Sequence, residues 1–242
     1  MDTMLKIEHF SKSYGGGRYA VKDLSLSVAA GEICGFIGHN GAGKSTTLRA
    51  AAGILDFTEG EILIDGHSVR AEPVAAKRVT AFLPDNPDLY EFYTGIQYLN
   101  FIADIYAIPR QARTADIQAY ADAFALTGNL GSAIGSYSHG MKQKLALVSA
   151  FIRHPRLLML DEPFVGLDPQ AAFTVKTLLH DHCKAGGAVF FSTHVLEVAE
   201  KLCDRIAIIR GGALVEAGST AEIVGKSSLE DVFLQLAEEA KG

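Results

Sequence analysis

The sequence predicts an α/β fold in which helices cover a largely parallel sheet, with an antiparallel β lobe near the N-terminus. Short apolar runs alternate with helical patterns at both ends of the chain, an order typical of parallel strands joined by crossover helices. Residues 94–153, by contrast, read as nearly all helix. We therefore expect residues 1–242 to form a single domain, in which residues 1–85 and 157–242 make the core with its β lobe and residues 86–156 form an inserted helical subdomain.

The strands are expected where the apolar runs are short. Ile33–Ile37 is a continuous apolar run, which favours a strand buried on both faces. Leu24, Leu26 and Val28 alternate with polar residues and predict a half-buried strand near the start of the chain. Further strands are expected at residues 61–64, 157–160, 188–192, 205–209 and 213–215.

Capping residues mark where several helices begin. Thr94, with glutamine three residues later, forms a capping-box pattern that opens a helix expected over residues 96–108. Asp168, followed by proline, predicts the start of another helix. Ser227, with glutamate three residues later, predicts the cap of a final helix that runs to about residue 240. Two more helices are expected at residues 44–52 and 141–153.

Composition limits the classes of function. The chain has 22 basic and 28 acidic residues, a net charge of −6, whereas proteins that bind nucleic acids usually carry the opposite sign. We therefore expect no nucleic-acid partner. No apolar run approaches the ~18 residues of a transmembrane helix, and no signal peptide is visible. Three separated cysteines predict buried thiols in a reducing cytosol.

Residues 38–46 carry the clearest chemical signal. They match the pattern G-x-x-x-x-G-K-[ST] between a buried strand and a helical run, where glycines let backbone N–H groups surround phosphate oxygens. The alternative is a glycine turn that only packs. Lys44 is expected to reach the β- and γ-phosphates, and Ser45 to ligate Mg²⁺. The candidate phosphate-binding residues are Gly38, His39, Asn40, Gly41, Ala42, Gly43, Lys44, Ser45 and Thr46.

An acid pair follows the apolar run at residues 157–160. Asp161 and Glu162 come at the carboxyl end of the expected strand, the end at which open α/β sheets bind ligands. Alone, such a pair is often an ordinary strand end. Beside a phosphate loop, Asp161 is expected to hold Mg²⁺ directly or through water. Glu162 is expected to orient or deprotonate the attacking water, and His194, after another apolar strand, to hydrogen-bond the γ-phosphate.

With these motifs the chain resembles the ATP-binding cassette (ABC) ATPases over essentially its full length. Tyr14 matches the aromatic residue that stacks on adenine in that family. Ser138 and Gly140 match the signature motif, which binds the γ-phosphate of ATP held by the opposite subunit. Asp168 matches the loop that crosses to the partner, and His194 matches the switch histidine.

Two positions depart from the family pattern. His139 and Met141 replace the first glycine and the glutamine of the signature motif, while its serine and second glycine remain. Asp85 stands where the family usually has a glutamine; it still offers an oxygen toward Mg²⁺ or water. Both variants resemble bacterial cassettes that serve separate membrane subunits, such as Ecs-type and related export systems.

The resemblance implies a P-loop NTPase core with a RecA-like sheet, and ATP and Mg²⁺ as the bound cofactors. It also implies an ATP-hydrolysing subunit of an ABC transporter that dimerises, expected with a second copy of itself, around two ATP. The dimer would drive a separately encoded integral membrane permease, expected to be an exporter, from the cytoplasmic face of a bacterial cell membrane. The alternatives are a soluble non-transport cassette, such as the ATPase of iron–sulfur cluster assembly, and a cassette that acts on nucleic acids.

The segment after Asp85 carries a dense group of large apolar side chains: Leu89, Tyr90, Phe92 and Tyr93. One interpretation is that they pack beneath the helix that opens at Thr94. The other follows from the resemblance, in which this loop lines a groove that receives a cytosolic helix of the membrane subunit.

Overall fold

The computed structural model of the chain describes residues 2–225 and 227–239. The strands are β1 (Thr3–Ser13), β2 (Tyr19–Ala29), β3 (Ile33–Ile37), β4 (Glu59–Ile64), β5 (His67–Ser68), β6 (Thr80–Leu83), β7 (Leu157–Asp161), β8 (Ala188–Thr193), β9 (Arg205–Arg210) and β10 (Ala213–Ser219). The helices are α1 (Lys44–Ala51), α2 (Pro73–Arg78), α3 (Gly95–Ile105), α4 (Arg110–Ala123), α5 (His139–Phe151), α6 (Pro169–Lys184), α7 (Leu196–Leu202), α8 (Thr220–Val224) and α9 (Leu229–Glu239).

The larger sheet has six strands in the order β10-β9-β3-β8-β7-β6. Its strands are parallel except for β10, which runs antiparallel to β9. Every residue of β3, β7 and β8 is buried, because α6 and α7 pack on one face of the sheet while α1 and the β lobe pack on the other. The continuous apolar runs of the sequence therefore correspond to the central strands, and the predicted α/β fold is confirmed.

The smaller sheet is antiparallel, in the order β2-β1-β4-β5, and forms the expected β lobe. Leu24, Leu26 and Val28 are buried on one face of β2, as their alternation predicted. The strand β1 was not among the predicted strands. Its pairing with β2 has several register shifts, and His9 within it has a φ of 50°, so its apolar residues lose the two-residue period that reveals a strand.

Three long helices, α3, α4 and α5, lie between β6 and β7 in the chain. Thr94 caps α3 in a capping box with Gln97, as predicted, but α3 ends at Ile105 and not at Ile108, because Ala107 takes a left-handed φ of 54°. The helix expected from residue 141 begins earlier, since Ser138 is the N-cap of α5. The division of the chain at residues 86 and 156 stays a prediction.

The final helix begins one residue later than predicted. The capping box is made by Ser228 and Asp231, since the Ser228 Oγ accepts the Asp231 N–H at 3.1 Å and an Asp231 carboxylate oxygen accepts the Ser228 N–H at 3.0 Å. Ser227 instead donates to the carbonyl of Val224. Leu229, fully buried, fixes this phase of the helix. The predicted end near residue 240 lies outside the described residues. Within the described part of the chain, no helix is both long and apolar enough to cross a membrane.

Candidate active site

The phosphate loop lies between β3 and α1, as its sequence context required. Gly43 is the N-cap of α1 with a φ of +112°, and a Cβ atom there would lie 2.8 Å from the carbonyl oxygen of Ala20. A glycine is therefore needed at this turn. No side chain caps the start of α1, so the first backbone N–H groups of the helix stay available to an anion.

Lys44 lies folded across this loop. Its side chain is 6% exposed, and its Nζ donates to the carbonyl of Gly38 at 2.6 Å and to that of His39 at 3.4 Å. The same Nζ lies 3.7 Å from Glu162 Oε1. The positive charge is thus held between the phosphate loop and the end of β7.

Glu162 is fixed from several directions. Its Oε1 lies 3.0 Å from His194 Nδ1, and its Oε2 accepts the backbone N–H of His194 at 3.3 Å. Its φ is +50°, a left-handed conformation that side-chain-bearing residues rarely take and that is found often at functional sites. The lysine, the glutamate and the histidine picked out from the sequence therefore form one contiguous group.

Asp161 is buried behind this group and held by a residue that the sequence interpretation missed. The Ser192 hydroxyl donates to Asp161 Oδ1 at 2.5 Å and accepts the backbone N–H of Glu162 at 3.2 Å. The other carboxylate oxygen, Oδ2, has no hydrogen-bond partner among the described residues. Ser192 pairs with Asp161 across β8 and β7, and its place two residues before His194 was the signal available in the sequence.

A pocket of about 220 Å³ brings most of the predicted residues together. Tyr14 stands at its edge, since its hydroxyl lies 3.3 Å from Thr46 Oγ1, and the tyrosine is 65% exposed. Asp85, two residues after the end of β6, is exposed and contributes to the pocket wall. The residues that line the pocket are Ala20, His39, Asn40, Gly41, Gly43, Lys44, Ser45, Thr46, Asp85 and Glu162.

Ser138, Gly140 and Asp168 form a second cluster, outside the lining of that pocket. The Ser138 hydroxyl accepts the N–H of Met141 at 3.3 Å, and a Cβ on Gly140 would lie 3.1 Å from the carbonyl of Gly166. Asp168 caps α6 and accepts a hydrogen bond from Lys144 Nζ at 2.7 Å. This hydrogen bond is the main cause that lowers the pKa of Asp168. The start of α5 and the start of α6 are thereby held side by side.

Comparison with known proteins identifies the family. The sequence model described as ABC transporter matches residues 21–165. The chain belongs to this family. It is 32% identical over 227 residues to the ABC-type transporter ATP-binding protein EcsA of Bacillus subtilis (strain 168), with 92% of each chain covered.

Two solved structures that are similar to this chain agree with this family membership. One, described as the ATP binding subunit of an ABC transporter, matches with a TM-score of 0.93 and 31% identity and covers 97% of this chain and 100% of that one. The other is cbiO1 from Clostridium perfringens, described as part of the ABC transporter complex cbiONQ, with a TM-score of 0.80, 25% identity and coverage of 98% and 97%.

These comparisons confirm the resemblance seen in the motifs, including its Ecs-type character, and the P-loop NTPase fold. The chain is a transport-associated ATPase, the ATP-binding subunit of an ABC transporter. They do not favour the alternative of a soluble cassette for iron–sulfur cluster assembly.

Proposed function

We propose that two copies of this chain close around two ATP molecules, hydrolyse them with Mg²⁺, and drive a separate membrane permease from the cytoplasmic face of a bacterial membrane, in the direction of export. The observation that carries the hydrolytic part is the position of the Glu162 carboxylate. It lies 3.0 Å from the His194 ring and 3.7 Å from Lys44 Nζ, beside the phosphate loop. The direction of export rests on the likeness to Ecs-type cassettes.

Each side chain of the group has a distinct role in this proposal. The backbone N–H groups of the loop and Lys44 bind the β- and γ-phosphates. Tyr14 offers its exposed ring to adenine. Glu162 accepts a proton from the water that attacks the γ-phosphate. His194 contacts the Glu162 carboxylate through its ring and backbone nitrogen, and in this proposal it also hydrogen-bonds the γ-phosphate.

The residues fit a magnesium ion. The unpartnered, buried Oδ2 of Asp161 is costly unless a cation or its bound water satisfies it. Ser45 and Asp85 line the neighbouring pocket and offer oxygen atoms, the ligands that Mg²⁺ prefers. Among the described residues no cluster of three or more His, Cys, Asp or Glu could hold a metal by itself. When bound, Mg²⁺ would neutralise phosphate charge.

The second cluster supports the dimer. Ser138 is the N-cap of α5, a helix of 13 residues, so its hydroxyl and the positive helix end can bind an anion. Ser138 and Gly140 do not line the phosphate pocket of their own chain. A second copy, turned so that its Ser138 faces the first chain's phosphate loop, would complete the site, and Asp168 would lie at the crossing loop.

The segment after Asp85 supports a docking surface for the permease. Leu89 is buried in the core, whereas Phe92 is 77% exposed. Tyr90 is half-exposed, and its ring centroid lies 5.9 Å from that of Phe92 and 5.7 Å from that of Phe101. The packing interpretation thus fits Leu89. An exposed aromatic ring that packs against other rings suits an interface hot spot.

Glu162→Gln tests the catalytic assignment. The amide keeps the size of the side chain but cannot accept the proton, so turnover should fall by roughly 10²–10⁴-fold, while ATP still binds. Lys44→Ala should instead weaken ATP binding itself, measured by calorimetric titration. A Glu162→Gln protein that hydrolyses ATP at the wild-type rate would contradict the assignment.

The composite site is tested in the same Glu162→Gln background. Ser138→Arg should leave ATP binding to the monomer intact but block the ATP-dependent dimer, because a bulky cation would occupy the position of the partner's γ-phosphate. Sedimentation with and without ATP measures this. Dimers that persist after the substitution would rule out the proposed pairing.

A further inference from the structure

The C-terminal helix α9 reaches back to the phosphate loop. The ring of Phe233 meets the ring of His39 edge-on, with centroids 4.6 Å apart and an interplanar angle of 63°. The two rings, together with His194 and Leu196, line a pocket of about 490 Å³ on this side of the loop. A residue that lies outside the matched family segment, residues 21–165, therefore contacts the predicted ATP site.

The position of Phe233 is set by a well-anchored helix. Leu229, four residues earlier and on the same face of α9, is fully buried, and its N–H donates to Glu200 Oε2 at 2.9 Å. The capping box of Ser228 and Asp231 fixes the start of the helix. Phe233 thus approaches His39 from a helix that is anchored at its first turn.

His39 is well placed to transmit this contact to the loop. Its carbonyl accepts the N–H of Ala42 at 3.1 Å and Lys44 Nζ at 3.4 Å. The loop around it is rich in glycine, and Gly41 takes a φ of +79°, so ordering this backbone costs more entropy than in an ordinary turn. A ring that restrains His39 therefore reduces the conformational entropy that the loop must lose when phosphate binds.

We propose that Phe233 is a positioning residue for ATP: through His39 it holds the phosphate loop in the shape that receives the nucleotide. This inference rests on the proposed role of the loop in binding ATP. Because coupling between two sites is reciprocal, ATP should in turn stabilise α9 against local opening.

The test compares three variants in the full chain. Phe233→Ala removes the ring, Phe233→Tyr keeps it, and Leu234→Ala is the control, because Leu234 is the next residue of α9 and is 56% exposed. The measurements are the Kd for a non-hydrolysable ATP analogue and the KM and kcat for ATP. Aromatic contacts of this kind correspond to a change of roughly threefold to tenfold in an equilibrium constant.

We expect Phe233→Ala to raise Kd and KM by that factor and to leave kcat at saturating ATP within about twofold. Phe233→Tyr keeps the ring and should therefore have the wild-type Kd, KM and kcat, and Leu234→Ala should have the same wild-type values. Hydrogen exchange on the wild-type protein is the second measurement, and it needs no substitution: ATP should slow the exchange of α9 amides.

An unchanged Kd in Phe233→Ala would overturn the inference while leaving the ATPase assignment intact. An equal effect of Leu234→Ala would do the same, since it would point to general loosening of the helix, and so would α9 amides that exchange equally fast with and without ATP. A wild-type protein that binds no ATP is a different result, because it would remove the proposed function itself.

Discussion

Ser192→Ala is expected to weaken the hydrogen bonds that hold Asp161 and Glu162 at the end of β7. The substitution deletes the hydroxyl that donates to Asp161 Oδ1 at 2.5 Å and accepts the N–H of Glu162 at 3.2 Å. The Glu162 N–H keeps a second acceptor, the backbone carbonyl of residue 192, also at 3.2 Å. The Asp161 carboxylate would lose the donor to its Oδ1, and its Oδ2 already lacks a hydrogen-bond partner among the described residues.

The size of the effect follows from this difference. A hydrogen bond to a charged group contributes roughly 1.5–3 kcal/mol, and Asp161 is only 1% exposed, so water cannot replace the lost donor without opening the sheet end. We expect the free energy of unfolding to fall by about 2 kcal/mol, which lowers Tm by roughly 4–8 °C in a chain of this size. Substitution of a residue that orients a metal ligand typically lowers metal affinity by about 10–100-fold. The Mg²⁺ concentration for half-maximal ATPase activity should therefore rise by about tenfold or more.

The assay combines thermal unfolding, followed by circular dichroism, with ATPase rates over a Mg²⁺ series. Ser149→Ala is the matched control, since Ser149 is also a buried serine, but its hydroxyl donates at 2.7 Å to the neutral carbonyl of Ala146 within α5. The control should lose less stability and keep the wild-type Mg²⁺ dependence. If Ser192→Ala melts within a degree of wild type and needs no additional Mg²⁺, Ser192 does not hold Asp161.

Three further predictions concern other parts of the molecule. Phe92→Ala should weaken co-purification with the permease yet keep basal ATPase activity and Tm, whereas Leu89→Ala, its buried neighbour, should mainly lower Tm; the reverse pattern would rule out docking at Phe92. Lys144→Met should raise the pKa of Asp168, which is lowered mainly by the hydrogen bond from Lys144. A carboxyl pKa that is lowered in the folded state adds stability above the ordinary value of 3.8, and this contribution is lost as the pH falls through the lowered pKa. The variant should therefore have a lower Tm than wild type at pH 7 but not at pH 2. An equal deficit in Tm at both pH values would refute this. Burial raises the pKa of all three thiols, for Cys183 to about 12, so they should resist alkylation at pH 8 until the protein is unfolded, and rapid labelling of the native protein would contradict it. The other two thiols are those of Cys34 and Cys203.

The sequence alone determined the features that depend on contiguous residues. The run Ile33–Ile37 and the glycines after it predicted β3 and the phosphate loop, because strand burial, turn conformation and helix start are all set within about fifteen residues. The capping pattern at Thr94 and the aspartate–proline step at Asp168 located the starts of α3 and α6 for the same reason. The acid pair was also readable, since a continuous apolar run marks a buried strand and its end marks the edge of the sheet.

Only the tertiary structure decided which of these pieces touch. The sheet order β3-β8-β7 sets the ends of three distant strands side by side, and this adjacency lets the hydroxyl of Ser192 bridge Asp161 and Glu162. The contact of Phe233 with His39 arises in the same way, because the packing of α9 against α7 depends on burial of Leu229 and not on any local pattern. Local propensities fix where elements begin and end, whereas packing across the core fixes which side chains meet.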